Sequence, residues 1–111
     1  MSFHLTYNQG VTTPSAKLWI YDDDGTLLDL SAASGFVVKI GARKQAAKLS
    51  KSAGIAGAVG AGTEPTGTPN LVITWSGTEL NIAPGTWLIQ VSMSSGARMW
   101  EGEIEILANI A

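Results

Sequence analysis

The segment Leu80 to Leu107, LNIAPGTWLIQVSMSSGARMWEGEIEIL, constrains the fold more than any other part of the chain, because it alternates with period two on both sides of a turn signal. Trp87, Ile89, Val91 and Met93 share one strand face, and Gln90, Ser92 and Ser94 share the other, with Leu88 the one apolar residue on the polar side. Pro84-Gly85 launches this strand, and Ser94 to Gly96 supplies a turn in which Gly96 can take a positive φ at little steric cost. Beyond the turn, Trp100, Ile104 and Ile106 alternate with Glu101, Glu103 and Glu105. The segment reads as a β-hairpin with a core face and a wet face, and the rest of the chain has to provide a second sheet for the core face.

Upstream the same period recurs in shorter pieces. Phe3, Leu5 and Tyr7 alternate with Ser2, His4 and Thr6 as a first strand that ends at Asn8 to Gly10. Lys17 to Tyr21 reads as a second strand, with Leu18 and Ile20 on one face and Lys17, Trp19 and Tyr21 on the other. Asp22 to Gly25 follows as a turn, since Asp-Gly between apolar runs suits central residues of positive φ. A calcium loop is disfavoured there, because an EF-hand needs a bidentate Glu at its twelfth position and this chain has Ala33. Phe36, Val38 and Ile40 mark a third strand. Arg43 to Ser52 has no apolar stripe and is read as extended rather than helical. Leu71, Ile73 and Trp75 mark a further strand ending at Ser76-Gly77.

Between these lies Ala53 to Asn70, AGIAGAVGAGTEPTGTPN, the low-complexity part of the chain. Its glycines are not followed by the Gly-Lys-Ser/Thr of a phosphate loop, and Pro65 and Pro69 impose an open connection. It is expected to be a long flexible surface loop, of the kind that is either functional or simply disordered. Turn signals every eight to twelve residues and the lack of any long helical pattern indicate one all-β domain over residues 1–111, a sandwich or small barrel.

Charge narrows the function. The net charge is −2 and the pI is near 5.2, with one basic cluster, Arg43, Lys44, Lys48 and Lys51. That is a poor footprint for a nucleic-acid binder, whose affinity rests on phosphate neutralisation. Cysteine is absent, so there is no disulfide framework or thiolate nucleophile. The N-terminus lacks the basic and apolar regions of a signal peptide, and no apolar run reaches the ~20 residues that span a bilayer. The expected protein is soluble, made in a cytoplasm, and free of cofactor and metal.

Catalytic chemistry has little to work with. His4, the single histidine, falls on the polar face of its strand without a partner histidine. Glu101, Glu103 and Glu105 project about 7 Å apart from one strand face, a spacing that could imitate a glycosidase pair. A row of like charges on a wet strand more often protects against edge-to-edge aggregation, so no enzymatic activity is expected. Of the four tryptophans, Trp75, Trp87 and Trp100 share faces with Ile and Val and read as core. Trp19 lies on the Lys17 and Tyr21 face and reads as exposed, suited to an interface anchor or to a sugar-stacking platform.

The order and spacing of several features carry a family resemblance. Gln9-Gly10 near the start, a strand entering Asp22 to Gly25, LLDLSAASGF from Leu27 to Phe36, LVITW, the L-x-I-A-P-G-T-W of Leu80 to Trp87 and the G-x-I-x-I of Gly102 to Ile106 together resemble the immunoglobulin-like domains of bacteriophage baseplate upper proteins and related phage tail, fibre and head-appendage proteins. Two departures stand out: Val11-Thr12 follows Gln9-Gly10 where the family usually has an acidic residue, and the Gly/Ala-rich loop is longer than usual.

The resemblance implies an immunoglobulin-like antiparallel β-sandwich of about seven to eight strands. It also implies a non-enzymatic virion structural protein, made in the host cytoplasm, that binds other virion subunits and itself in a symmetric assembly. Nucleic acid and membrane are not among the implied partners. The candidate interface residues are Trp19 and Tyr21 together with Ile55, Val59 and Glu64 of the long loop. The rival expectation is a carbohydrate-binding module for a host-surface glycan, and an assembly chaperone is a third.

Overall fold

In a computed structural model, residues 3–22, 24–42, 44–64, 66–94 and 98–108 are described, and these form no helix. Eight strands follow in chain order: β1 His4–Asn8, β2 Ala16–Leu18, β3 Phe36–Gly41, β4 Leu49–Lys51, β5 Ile55–Gly57, β6 Leu71–Ile73, β7 Gly85–Met93 and β8 Arg98–Leu107. They make a five-stranded sheet in the order β1-β8-β7-β3-β4 and a three-stranded sheet in the order β2-β6-β5. The all-β, two-sheet expectation is met.

The hairpin β7–β8 is the long axis of the larger sheet, paired from Gly85 opposite Ile106 to Met93 opposite Arg98. Ser95 and Gly96, assigned to its turn from sequence, lie outside the described residues. β3 lies antiparallel along the other side of β7, from Phe36 opposite Met93 to Gly41 opposite Leu88. Alternation places Phe36, Val38, Ile40, Ile89, Val91, Trp100, Ile104 and Ile106 in the core, where they are buried. Leu18, Leu71 and Ile73 of the second sheet, with Trp75 just beyond β6, pack in the same core cluster. A fully buried aliphatic side chain of this size contributes about 1.5–3 kcal/mol, so these facing rows hold the two layers together.

Four details depart from expectation. The first strand runs parallel to the last, with His4 opposite Glu103 and Asn8 opposite Leu107, so the sandwich is mixed and not wholly antiparallel. Gly102 makes this possible. A Cβ there would collide with the Phe3 carbonyl and ring, and the Phe3 carbonyl instead accepts the Glu103 N–H at 2.8 Å.

Second, β2 ends at Leu18, and just beyond it Trp19 and Ile20 are both buried, a pattern that strict strand alternation forbids. Third, β6 ends at Ile73, two residues before Trp75. Fourth, the low-complexity stretch contains β5, antiparallel to β6, and a bridge between Ala61 and Thr68. Small side chains are what let this segment lie close: a Cβ on Gly57 would strike the Leu30 backbone.

The Asp-rich turn forms as expected, with Asp23 outside the described residues. Gly25 takes φ +86°, its N–H donates to the Asp22 carbonyl at 2.9 Å, and Asp24 accepts the Thr26 N–H at 2.9 Å. That backbone bond holds the Asp24 carboxyl below its ordinary pKa. Asp29 is lowered likewise, first by the Ser31 hydroxyl and then by the Ser31 N–H.

Candidate interaction surface

The five residues singled out from sequence differ in exposure. Trp19 is 6% exposed, and its indole Nε1 is buried without a hydrogen-bond partner among the described residues. It cannot stack on a sugar or anchor a partner from that position. The chain leaves the β ladder after Leu18, which turns the Trp19 side chain inward with Ile20.

Tyr21 is half-buried, in an isolated bridge with Leu27. Ile55 is half-buried within β5, opposite Ile73. Only Val59, 60% exposed, and Glu64 offer themselves to a partner. Both sit on the arm that runs from the Ala58–Asn70 hydrogen bond through the Ala61–Thr68 bridge, Glu64 beyond the bridge and Val59 before it, and at its tip the Thr63 carbonyl accepts the Gly67 N–H at 2.7 Å.

Beneath this arm lies a residue that sequence reasoning missed. Asn70 is fully buried and every polar atom it has is used. Its Oδ1 accepts the Ile20 N–H at 2.8 Å, its Nδ2 donates to the Ile20 carbonyl at 2.8 Å and to the Leu28 carbonyl at 2.9 Å. Its backbone N–H donates to the Leu18 carbonyl at 3.1 Å and its carbonyl accepts the Ala58 N–H at 2.9 Å. One side chain therefore substitutes for the ladder that β2 lacks beyond Leu18, since buried backbone groups must be paired.

Lys51 is the second missed residue. It is buried, donates to the Thr74 carbonyl at 2.6 Å and to Glu79 Oε1 at 2.7 Å, and its ammonium lies 5.0 Å from the Trp75 ring centroid. Lys51 thereby leaves the basic cluster expected from sequence, because it faces inward; Arg43 lies outside the described residues. The parity of Lys51 with inward-facing Leu49 was the available signal, because residues two apart share a strand face.

A continuous surface is formed by the outer face of the five-stranded sheet. It presents Val37 and Lys39 from β3, Leu88, Gln90 and Ser92 from β7, and Met99, Glu101, Glu103 and Glu105 from β8, the residues alternating with the buried set. Met99 is 54% exposed. Gln90 Nε2 donates to Glu101 Oε1 at 3.2 Å, and Glu103 lies 3.9 Å from His4 Nδ1, both side chains more than half exposed.

At one end the β3–β4 connection leans over the sheet and leaves an open groove of about 280 Å³, floored by Leu88, Ala42 and Ala47 and rimmed by Lys39 and Lys44. The groove exists because Gly41 has no side chain: a Cβ there would press on the Ala47 backbone. Neither lysine has an ion-pair partner among the described residues. The face is thus basic along β3 and its turn, and acidic along β8.

No group of three or more His, Cys, Asp or Glu side chains among the described residues could hold a metal ion. Tyr7 has a displaced pKa. Burial raises it, the neighbouring Trp75 indole pulling the other way, and its hydroxyl donates to the Pro14 carbonyl at 2.7 Å. Comparison with protein-family models, curated proteins and solved structures returns no match.

Proposed function

We propose that the chain is a non-enzymatic structural protein of a bacteriophage virion, with an immunoglobulin-like sandwich that docks onto other virion subunits. The observation that carries this reading is the meeting of two motifs that are far apart in sequence. Gln9 Nε2 donates to the Ile82 carbonyl at 3.1 Å, and the Gly10 N–H donates to the Leu80 carbonyl at 3.0 Å. The Gln9-Gly10 and Leu80 to Trp87 segments, both of which carry the resemblance to phage domains, therefore brace each other at one end of the sandwich. Gly102, from the third such segment, admits β1 beside β8.

The strand order supports the immunoglobulin-like part of the reading. Naming the strands A, B, C, C′, D, E, F and G in chain order turns the two sheets into A-G-F-C-C′ and B-E-D. Immunoglobulin sandwiches divide in this way, with C, F and G on one sheet, B, E and D on the other and C′ added beside C in the variable type. Here the first strand joins G instead of B.

The glycan reading rested on an exposed Trp19, and the burial of that residue removes its platform. The docking reading retains the arm that carries Val59 and Glu64. Mass spectrometry of purified particles from the host that carries the gene tests it. Detection at a fixed stoichiometry is the expected result. Absence from particles, together with failure of the purified protein to bind any particle subunit, would overturn it.

A further inference from the structure

We propose that the outer face of the five-stranded sheet is a self-association surface, on which two copies pack face to face about a two-fold axis running along β7. The inference goes beyond the virion reading and does not require it.

The argument comes from register. Three rows cross the face at successive heights: Val37, Ser92 and Met99; Lys39, Gln90 and Glu101; and Gly41, Leu88 and Glu103. In each row β7 is central and flanked by β3 on one side and β8 on the other, about 4.8 Å away. A two-fold axis parallel to β7, midway between two facing sheets, exchanges β3 with β8 and leaves height unchanged.

Every row then meets its complement. Val37 of one copy faces Met99 of the other, joining half-buried and exposed apolar side chains. Lys39 faces Glu101. In the third row the Ala47 backbone covers Gly41, so Glu103 meets the mouth of the groove rimmed by Lys39 and Lys44. On the axis itself, Leu88 meets Leu88, and Gln90 and Ser92 meet their own equivalents, as an isologous interface requires.

An axis across the strands gives the opposite result. It would stack β3 on β3 and β8 on β8, setting lysine against lysine and glutamate against glutamate. The charge distribution therefore selects one operator out of two. Facing sheets also tolerate this alignment, since strands of packed sheets lie within about 30° of each other.

The groove alone suits this occupant better than a free ligand. At about 280 Å³ and open, it falls just below the ~300–1,000 Å³ that enclose small molecules, yet it has room for one carboxylate side chain. The nine residues of β7 span about 30 Å, and β3, β7 and β8 together give a width of about 14 Å, so on the order of 400 Å² per copy is covered. That is about half the ~800 Å² per partner of a standard interface, which implies a weak, salt-sensitive dimer.

Sedimentation velocity of the full chain tests this, with near-UV circular dichroism as the check on folding. The wild type should dimerise with concentration at about 50 mM salt and weaken severalfold at about 0.5 M, as exposed ion pairs are screened. Lys39→Glu and Glu101→Lys should each weaken the dimer about tenfold or more, because each introduces two like-charge contacts. The double variant should return to within about threefold of wild type, since the pair is restored with its signs exchanged. Met99→Ser should weaken it with no change of charge, and Val59→Ser, on the separate arm, should leave it intact.

A monomer at about 0.5 mM in low salt, a dimer indifferent to the single charge reversals, a double variant without recovery, or a dimer abolished by Val59→Ser would each overturn the proposal. Particle mass spectrometry bears only on the virion reading, so the two can fail separately.

Discussion

The two sheets of this domain solve the same packing problem with different means. The five-stranded sheet is held by long backbone ladders, nine paired positions between β7 and β8 and six between β3 and β7, and its core residues follow strict alternation. The three-stranded sheet has strands of only three residues each. Its margins are secured by two buried polar side chains, Asn70 and Lys51, that bind carbonyls where strand pairing has stopped. Regular pairing spreads stability over many interchangeable bonds, whereas a side-chain clamp concentrates it in one residue.

That contrast gives a ranked set of substitutions. Asn70→Ala should be the most damaging, because it strands the Ile20 N–H and the Leu28 carbonyl at ~1–3 kcal/mol per unmet group and weakens the hold on the Ile20 carbonyl, which keeps only the Leu28 N–H. A loss of about 4 kcal/mol or more in urea unfolding is expected, and a loss below about 1 kcal/mol would break the distinction between clamp and ladder. Ile89→Ala, in the middle of the long ladder, should cost about 3 kcal/mol through lost transfer energy and a cavity. Its backbone bonds should survive, so hydrogen exchange in β7 should stay slow relative to the new global stability.

Lys51→Met should come next, at ~1–3 kcal/mol, since it leaves the partly buried Glu79 carboxylate without its cation. Adding Glu79→Gln should recover part of that loss, and no recovery would mean that the methylene stem over Trp75 matters more than the charge. Tyr7→Phe should cost about 1 kcal/mol for the bond to Pro14.

Tyr7 also gives a pH signature. Its folded pKa lies above the ordinary value of 10.0, so its protonated form is favoured by the fold. The associated stability is complete below pH 10 and declines as pH rises through the folded pKa, a decline that Tyr7→Phe should lack. The smallest effect belongs to Glu103→Gln, within about 0.5 kcal/mol, because its contact with His4 is long and solvent-exposed.

The same contrast explains what could be read from the sequence. β3, β7 and β8 were legible because their side chains alternate over six or more residues. β1 was legible for the same reason, but its parallel pairing was not, since alternation says nothing about strand direction. β5 was hidden because Ile55-Ala56-Gly57 lies in a glycine- and alanine-rich run where no period can be seen. Trp19 was misread because alternation was extended one residue past the point where Asn70 takes over from the ladder. A single asparagine beside a proline looks like a turn residue, and only its place in three dimensions reveals it as a clamp. The acidic row on β8 was correctly assigned to solvent, but its relation to Lys39 depends on cross-strand register, which no local pattern specifies.

The parallel pairing of β1 with β8 bears on how the domain carries load. Tension applied between Phe3 and Ala108 would pull β1 toward its N-terminal end and β8 toward its C-terminal end, along the direction of the strands. The bonds between them, from the one linking Phe3 to Glu103 to the one linking Gln9 to Leu107, would then be sheared together and not peeled one at a time. A domain built this way resists extension like a lap joint, and Gly102, by letting the first strand seat against the last, is what closes it.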